Sequence, residues 1–132
     1  MKTTNLRKII FVCIIFILAC FSSNICLALE INPKSIDLGD IPIGVTIIKK
    51  ITIKNNEEQT VILEQARSSC DCVKIEYKKD TLIDSGKDYT ISLIIDTTDL
   101  PEGKTKKFIF LSFNDLNEPI FSITVSGNII SP

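Results

Sequence analysis

Beyond Glu30, apolar and polar residues alternate along the chain in short stretches that are separated by turn-forming residues. In Tyr89–Asp96 the apolar side chains recur at every second position, and in Val45–Asn55 they do so with one interruption at Lys49. Alternation with a period of two is typical of strands that bury one face. Strands of this kind at spacings of about 8–12 residues predict an antiparallel sandwich or barrel.

The alternation fails once in a way that predicts a local irregularity. Val61 and Leu63 keep the period of two, but Ala66 falls out of step just before the cysteines of "ARSSCDCVKIEY". An extra residue in one strand of a pair produces such a shift, so we expect a β-bulge near the cysteines.

One strand carries apolar residues on both faces. In "KKFIFLSF", Ile109, Leu111 and Phe113 can face the core, which leaves Phe108 and Phe110 on the opposite face. Two interpretations stay open at this point. A loop or neighbouring strand covers the two phenylalanines, or they form a surface that binds a partner, as contiguous exposed apolar area on a soluble domain often does. Ile48 and Ile94, on outward positions of other strands, would extend such a surface if they lie beside it.

The N-terminus has the features of a signal peptide. Three basic residues precede the apolar run Ile9–Cys20, which is shorter than the roughly 20 residues that a membrane-spanning helix needs. Small residues at Cys26 and Ala28 follow a polar break and predict cleavage after Ala28. We therefore expect a signal peptide at residues 1–28 and an exported domain at residues 29–132, in the periplasm or outside the cell.

Two alternatives to this cleavage stay open. "ILAC" is similar to a lipobox, in which Cys20 becomes the lipidated first residue of the mature chain. Alternatively, Ile9–Leu29 stays uncut and anchors the protein. All three alternatives export the domain, and membrane attachment is expected only through an uncut or lipidated N-terminus.

Composition excludes several classes of activity. Cleavage would remove Lys2, Arg7 and Lys8 and leave 12 of the 15 basic residues against 16 acidic ones, a net charge of −4. The remaining basic residues form no stripe along the sequence, so nucleic-acid binding is not expected. The chain contains no histidine, which rules out Ser-His-Asp and Cys-His nucleophile systems. It also lacks a glycine-rich phosphate loop. We expect no cofactor.

Cys70 and Cys72 are the cysteines that remain after the predicted cleavage. In an extended strand, residues two apart lie roughly 6.6 Å apart, whereas a disulfide needs Cβ atoms about 3.8 Å apart. The pair can therefore close only across a tight turn, and such a small ring cannot join two sheets. Three roles stay open: small groups or a local disulfide at the end of the sheet, a thiol-redox couple, or a Cu(I) site shared between protomers.

The segment around this pair resembles a known family. "RSSCDC" is similar to the Ser-Cys-Gly-Cys-Thr signature of an exported bacterial family of unknown function, which is itself similar to Hydin-type (ASH/MSP-like) immunoglobulin-like domains. "DLGDIPIG", "IDSGKDYTISLIIDT" with Gly86, and "FSITVSGNI" match further segments of the family, so the resemblance covers nearly all of residues 29–132. It implies an all-β, immunoglobulin-like antiparallel β-sandwich of seven or eight strands. Asp71 and Val73 depart from the family's Gly and Thr, which puts the conformation of the turn in question.

These observations together predict an exported, non-enzymatic binding or scaffolding module of the bacterial cell envelope. Its expected ligand is a protein partner, held by exposed strand edges or by Phe108 and Phe110. The alternative is a thiol-redox or Cu(I)-handling protein that uses Cys70 and Cys72.

Overall fold

The computed structural model describes residues 2–20, 29–114 and 120–131. Within those residues the chain forms one helix and nine strands. These are α1 (Lys2–Cys20), β1 (Leu29–Asn32), β2 (Ser35–Pro42), β3 (Thr46–Asn55), β4 (Val61–Ser68), β5 (Val73–Glu76), β6 (Thr81–Ile83), β7 (Asp88–Asp96), β8 (Gly103–Phe113) and β9 (Ile120–Ile130).

The strands form two sheets, one of four strands in the order β1-β3-β7-β5 and one of five in the order β2-β9-β8-β4-β6. The predicted all-β, immunoglobulin-like sandwich is confirmed. Two details differ from the expectation. The described residues form nine strands where seven or eight were expected, and these include the three-residue β6. In addition, β2 pairs with β9 in parallel, although the other pairs are antiparallel. The parallel pair joins segments nearly 90 residues apart, which alternation within one strand cannot reveal.

The core lies between the sheets and is built from the alternating positions. Ile51 and Ile53 of β3 belong to the same buried cluster as Ile109 and Leu111 of β8, and all four side chains are fully buried. Burying a side chain of this size contributes about 1.5–3 kcal/mol. Phe113 is buried as well, so the inward face predicted for β8 is confirmed.

The predicted bulge is present in β4. The register between β4 and β8 shifts between Leu63 and Gln65, so that Leu63 and Ala66 both point into the core. The extra residue restores the alternation for the last part of the strand, and this determines which face Arg67 occupies.

Two buried polar side chains fasten loops to the sandwich. The Asn55 amide donates to the carbonyls of Gln59 and Ile83, at 2.7 and 2.8 Å, and its oxygen accepts from the Glu57 N–H. The Thr97 hydroxyl lies within hydrogen-bond distance of the Pro42 and Val45 carbonyls. Each buried polar group is thereby satisfied, which removes the penalty for burying it.

Gly127 allows β2 to lie close against β9. A Cβ atom at this position would lie 3.0 Å from Ile41 Cδ1 and 3.3 Å from the Gly39 carbonyl oxygen. A larger residue would force the parallel strand away from its partner.

At the N-terminus, α1 ends at Cys20, and residues 21–28, with the predicted cleavage site at Ala28, lie outside the described residues. In the part of the chain that is described, no helix has the length and apolar character needed to cross a membrane. Signal-peptide cleavage, lipidation of Cys20 and an uncut anchor therefore stay predictions.

Candidate functional site

The two cysteines lie where the chain crosses from one sheet to the other. β4 belongs to the five-stranded sheet and β5 to the four-stranded sheet, and Ser69–Cys72 connects them. We call this segment the disulfide turn. Within it Cys70 and Cys72 are joined by a disulfide, and their Cα atoms lie 5.2 Å apart, within the usual range for a disulfide. The chain turns between them, as the sequence required for closure.

Backbone hydrogen bonds hold the disulfide turn at both ends. On the β4 side the Ser69 N–H donates to the Phe108 carbonyl at 2.9 Å. On the β5 side the Asp96 N–H donates to the Cys72 carbonyl at 2.9 Å, and between them the Val73 N–H donates to the Cys70 carbonyl at 3.3 Å. None of these contacts involves sulfur, so the course of the backbone does not depend on the disulfide alone.

The departures from the family signature fit this conformation. Among the described residues other than glycine, positive φ occurs at Asp80 and not at Asp71. The turn therefore does not require glycine at position 71, and the Asp71 side chain is exposed. Val73 is buried in the core, where a valine packs better than a threonine.

The two sulfur atoms differ in their surroundings. Both cysteines are half-buried, and Cys72 packs against the hydrophobic core. The Cys72 N–H donates to Cys70 Sγ at 3.0 Å. A donor at this position stabilises negative charge on Cys70, and Cys72 has no matching contact among the bonds described for the turn.

A pocket of about 520 Å³ opens beside the disulfide. Its wall includes both cysteines, the carboxylates of Asp71, Asp96 and Asp99, and one cation, Lys74. The remaining lining residues are Thr46, Ile94 and Leu100. The charged groups on the wall are therefore mainly acidic.

Asp96 stays ionised more readily than a free aspartate. The hydroxyl and the backbone N–H of Thr98 donate to its carboxylate at 2.6 and 2.9 Å, and Lys74 adds an attractive charge. These contacts hold the pKa of Asp96 below the ordinary value of 3.8. The pocket keeps this negative charge throughout the neutral range.

The described residues contain no group of three or more histidine, cysteine, aspartate or glutamate side chains placed to hold a metal ion. Cys70 and Cys72, which the sequence offered as Cu(I) ligands, are bonded to each other.

Phe108 and Phe110 lie side by side on the outer face of the five-stranded sheet. Their ring centroids are 6.4 Å apart at an interplanar angle of 25°, and each side chain is 38 % exposed. They therefore point away from the core, as predicted, and neither a loop nor a neighbouring strand of the described chain covers them fully. We call the outer surface formed by Phe108 and Phe110, together with the neighbouring Lys106, Arg67 and Ile120, the phenylalanine face.

Basic side chains flank the phenylalanine face. Lys106 Nζ lies 5.5 Å from the centre of the Phe108 ring, within the range of a cation–π interaction. Arg67 of β4 lies opposite Phe110 in the register. A groove of about 270 Å³ is lined by Arg67 and Phe110 together with Gln65, Ser112 and the exposed Ile120. The face thus combines apolar surface with positive charge.

Ile48 and Ile94 do not extend this surface. They pair with each other in β3 and β7 of the four-stranded sheet, whose outer face points away from the phenylalanine face. Their outward position was correct, but the suggestion that they continue the surface was wrong, because alternation shows a side chain's face and not its sheet.

Other residues of these two sites were missing from the sequence-based prediction. Asp96 and Asp99 reach the disulfide only because β7 lies next to β5, and Arg67 and Ile120 reach Phe110 only because β8 lies between β4 and β9. Of these residues, Arg67 lies in the stretch already quoted for its cysteines, three positions before Cys70, but nothing in that stretch indicates that it pairs with Phe110.

Comparison with protein families shows a match to a family model. The model described as "Protein of unknown function (DUF1573)" matches residues 29–129, nearly all of the sandwich. No curated protein matches the chain in sequence.

Solved structures show the same fold at low sequence identity. A protein of unknown function from Porphyromonas gingivalis W83 matches with a TM-score of 0.68 and 18 % identity, over 76 % of this chain and 46 % of that one. The chain therefore spans less than half of that protein. The ASH/PapD-like domain 7 of human CEP192 matches with a TM-score of 0.64 and 16 % identity, over 80 % and 87 % of the two chains. The periplasmic chaperone SfaE matches with 0.58 and 16 %, over 79 % and 60 %.

Proposed function

The chain belongs to the DUF1573 family, and on that premise we propose that it is an exported, non-enzymatic binding module of the bacterial cell envelope, which holds a protein partner on its phenylalanine face. The observation that carries the proposal is the pair of stacked, exposed phenylalanines on the outer face of β8. Aromatic residues that project from a sheet supply large rigid contact area, and they are enriched where proteins bind each other.

The charges around the pair indicate what the partner presents. Lys104 and Lys106 of β8 and Arg67 of β4 lie on the outer face and are exposed. Carboxylates beside an apolar side chain would complement this arrangement, with the apolar group on the rings and the acidic groups against the cations. The partner segment is therefore expected to be acidic and apolar.

Strand edges are the less suitable surface for binding. At the edges of the two sheets, β1, β5 and β6 have only four, four and three residues. The remaining edge strand, β2, is irregular between Asp37 and Asp40. Short or irregular edges offer few consecutive backbone groups for an added strand, so the face is favoured over the edge.

Two further observations support export. Disulfides persist in oxidising compartments, and the domain contains one between Cys70 and Cys72. The similar structure of SfaE is named a periplasmic chaperone, and this analogy of fold agrees with a location in the envelope.

The test is cross-linking of the purified protein to partners in an envelope extract, followed by direct binding of the identified partner. The variant Phe108→Thr/Phe110→Thr removes both rings and keeps residues that favour strands. We expect it to weaken binding by about 2 kcal/mol or more, the usual threshold for dominant interface residues. Ile48→Thr is the control, since Ile48 is 64 % exposed on the other sheet and lies off the face.

A folding measurement separates lost binding from lost structure. Phe110→Thr should lower the free energy of unfolding by only about 1 kcal/mol, because part of the ring is in solvent. Leu111→Ala, at the fully buried neighbouring position, should lower it by about 2–5 kcal/mol. Equal losses would place Phe110 in the core and contradict the proposal, as would a partner that binds the double variant and the wild type equally well.

A further inference from the structure

We infer that the Cys70–Cys72 disulfide is a stoichiometric thiol–disulfide exchange site for a dithiol segment of a partner polypeptide that carries basic residues beside its thiols. The inference concerns a different surface from the phenylalanine face and does not depend on it. Three observations support it: the disulfide closes a short ring in a connection, a pocket gives access to it, and acidic groups surround the pocket.

The first observation concerns what the disulfide contributes to the fold. It joins residues separated by two positions, so it removes little freedom from the unfolded chain compared with a bond that closes a long loop. It lies within the connection between the sheets and does not join one sheet to the other. The flanking hydrogen bonds of Ser69, Val73 and Asp96 hold the turn without sulfur. The disulfide can therefore open while the sandwich stays folded.

The second observation concerns access. A thiolate attacks a disulfide along a path that must be open to it. Both cysteines line the pocket of about 520 Å³. A pocket of this volume accommodates a short peptide segment better than the flat surface of a sheet does.

The exchange has a defined order of bonds. The partner's first thiolate attacks Cys72 Sγ, the sulfur–sulfur bond breaks, and Cys70 leaves as a thiolate that is stabilised by the Cys72 N–H at 3.0 Å. The partner's second thiol then attacks the partner sulfur of the mixed disulfide and releases Cys72. The partner dithiol loses two electrons and two protons, and Cys70 and Cys72 receive them as thiols.

The third observation concerns the charge that the partner must carry. Asp71, Asp96 and Asp99 line the pocket, and among the described residues of its wall the one cation is Lys74. An approaching thiolate is itself negative and is repelled by this wall unless neighbouring basic residues compensate. Charge of one sign around a cleft raises the rate of association of the opposite charge by tenfold or more.

The experiment compares two dithiol peptides of equal length, one with a lysine beside each cysteine and one with a glutamate at the same positions. Each is added in excess to the natively processed, oxidised protein at low ionic strength. The reaction is stopped with acid, and free thiols on the protein are counted by alkylation and mass spectrometry. Rates are divided by the measured thiolate fraction of each peptide and by the rate of the same thiolate with a small neutral disulfide, which removes the difference in intrinsic nucleophilicity and leaves the effect of charge on approach. We expect the lysine peptide to react about tenfold faster, with circular dichroism of the reduced protein unchanged.

Two variants with equal changes in net charge identify the source of the preference. Asp71→Asn/Asp99→Asn neutralises two exposed carboxylates of the pocket, and the preference should fall to about threefold or less. Glu58→Gln/Asp88→Asn neutralises two exposed carboxylates, of which Asp88 lies at the opposite end of β7 from Asp96, and the preference should be unchanged. The preference should also shrink in 1 M salt, where the screening length is about 3 Å. Equal rates for the two peptides would overturn the inference. So would a disulfide that resists both peptides in the folded protein but is reduced in urea.

Discussion

Ser69 and Phe108 are joined by two hydrogen bonds. The Ser69 N–H donates to the Phe108 carbonyl at 2.9 Å, and the Phe108 N–H donates to the Ser69 hydroxyl at 3.0 Å. The hydroxyl replaces the backbone carbonyl that a continuing strand would supply, because the chain leaves the five-stranded sheet at this residue. The two candidate sites therefore meet at one residue pair, with the disulfide turn on one side and the phenylalanine face on the other.

Replacing Ser69 should loosen this junction. In Ser69→Ala the Phe108 N–H loses its acceptor, and the free energy of unfolding should fall by about 0.5–1.5 kcal/mol. Hydrogen exchange at the Phe108 amide should become faster, which a general loss of stability would not produce at that amide alone. Ser122→Ala is the control, since Ser122 is exposed on the neighbouring strand and faces Phe110 in the register. Unchanged exchange at Phe108 would contradict the assigned role of the hydroxyl.

Asn55 should be among the most sensitive polar positions. Its side chain is fully buried and makes three hydrogen bonds, so Asn55→Ala leaves two carbonyls and one N–H without their partner. We expect a loss of about 2–4 kcal/mol in the free energy of unfolding, measured by urea denaturation. Asn114→Ala is the matched control, because the exposed Asn114 accepts one hydrogen bond, from the Ile62 N–H at 2.8 Å. A loss at Asn55 no larger than that at Asn114 would show that water replaces the missing amide.

Much of this architecture is readable from local alternation. The inward set of β8, the bulge before the cysteines and the outward direction of Phe108 and Phe110 all follow from side-chain order within one strand. The turn between Cys70 and Cys72 follows from the distance that a disulfide requires once the bond is known to form, which the sequence left open. These features depend on neighbours in sequence, which is why one sequence suffices to predict them.

Other features depend on which strands become neighbours in space. Asp99 lies 27 positions after Cys72 and lines the same pocket only because β5 pairs with β7. The parallel pairing of β2 with β9 likewise depends on the whole sandwich, although Gly127 hints at a close approach in the closing strand. Strand order is a property of the complete topology, and a period of two contains no information about it.

The Asp96 carboxylate gives a pH-dependent prediction. Its pKa is lowered first by the Thr98 hydroxyl, so Thr98→Val should raise it towards 3.8 while the backbone hydrogen bond remains. A lowered pKa contributes stability that is present above the unfolded value and is lost as pH falls through the folded value. The wild type should therefore be more stable than Thr98→Val at neutral pH, and the difference should vanish in acid below the folded pKa. Carboxyl NMR titration measures the shift, and equal pKa values in the two proteins would contradict it.

The processed form of the chain is measurable by intact mass. Cleavage after Ala28 predicts a protein from the envelope fraction with the mass of residues 29–132 less two hydrogens for the disulfide. Alkylation should add no mass before reduction and two adducts after it. A chain that begins at a lipidated Cys20, or one that retains residues 1–28, gives a mass distinct from this value. Two adducts before reduction would show that Cys70 and Cys72 are free thiols in the cell.

Removing the disulfide should abolish the reaction at the disulfide turn without affecting binding at the phenylalanine face. Cys70→Ser/Cys72→Ser should lower the free energy of unfolding by about 1–2 kcal/mol, since the ring encloses so short a segment. For a domain of this size that corresponds to a fall in Tm of about 4–16 °C. Unfolding should stay cooperative, because the hydrogen bonds of Ser69 and Asp96 still hold the turn. Binding through the phenylalanine face should persist, while reaction with the lysine dithiol peptide should be abolished. Loss of cooperative unfolding in this variant would mean that the sandwich needs the disulfide in order to fold. The protein could then not stay folded while the disulfide is open, which would contradict the exchange inference.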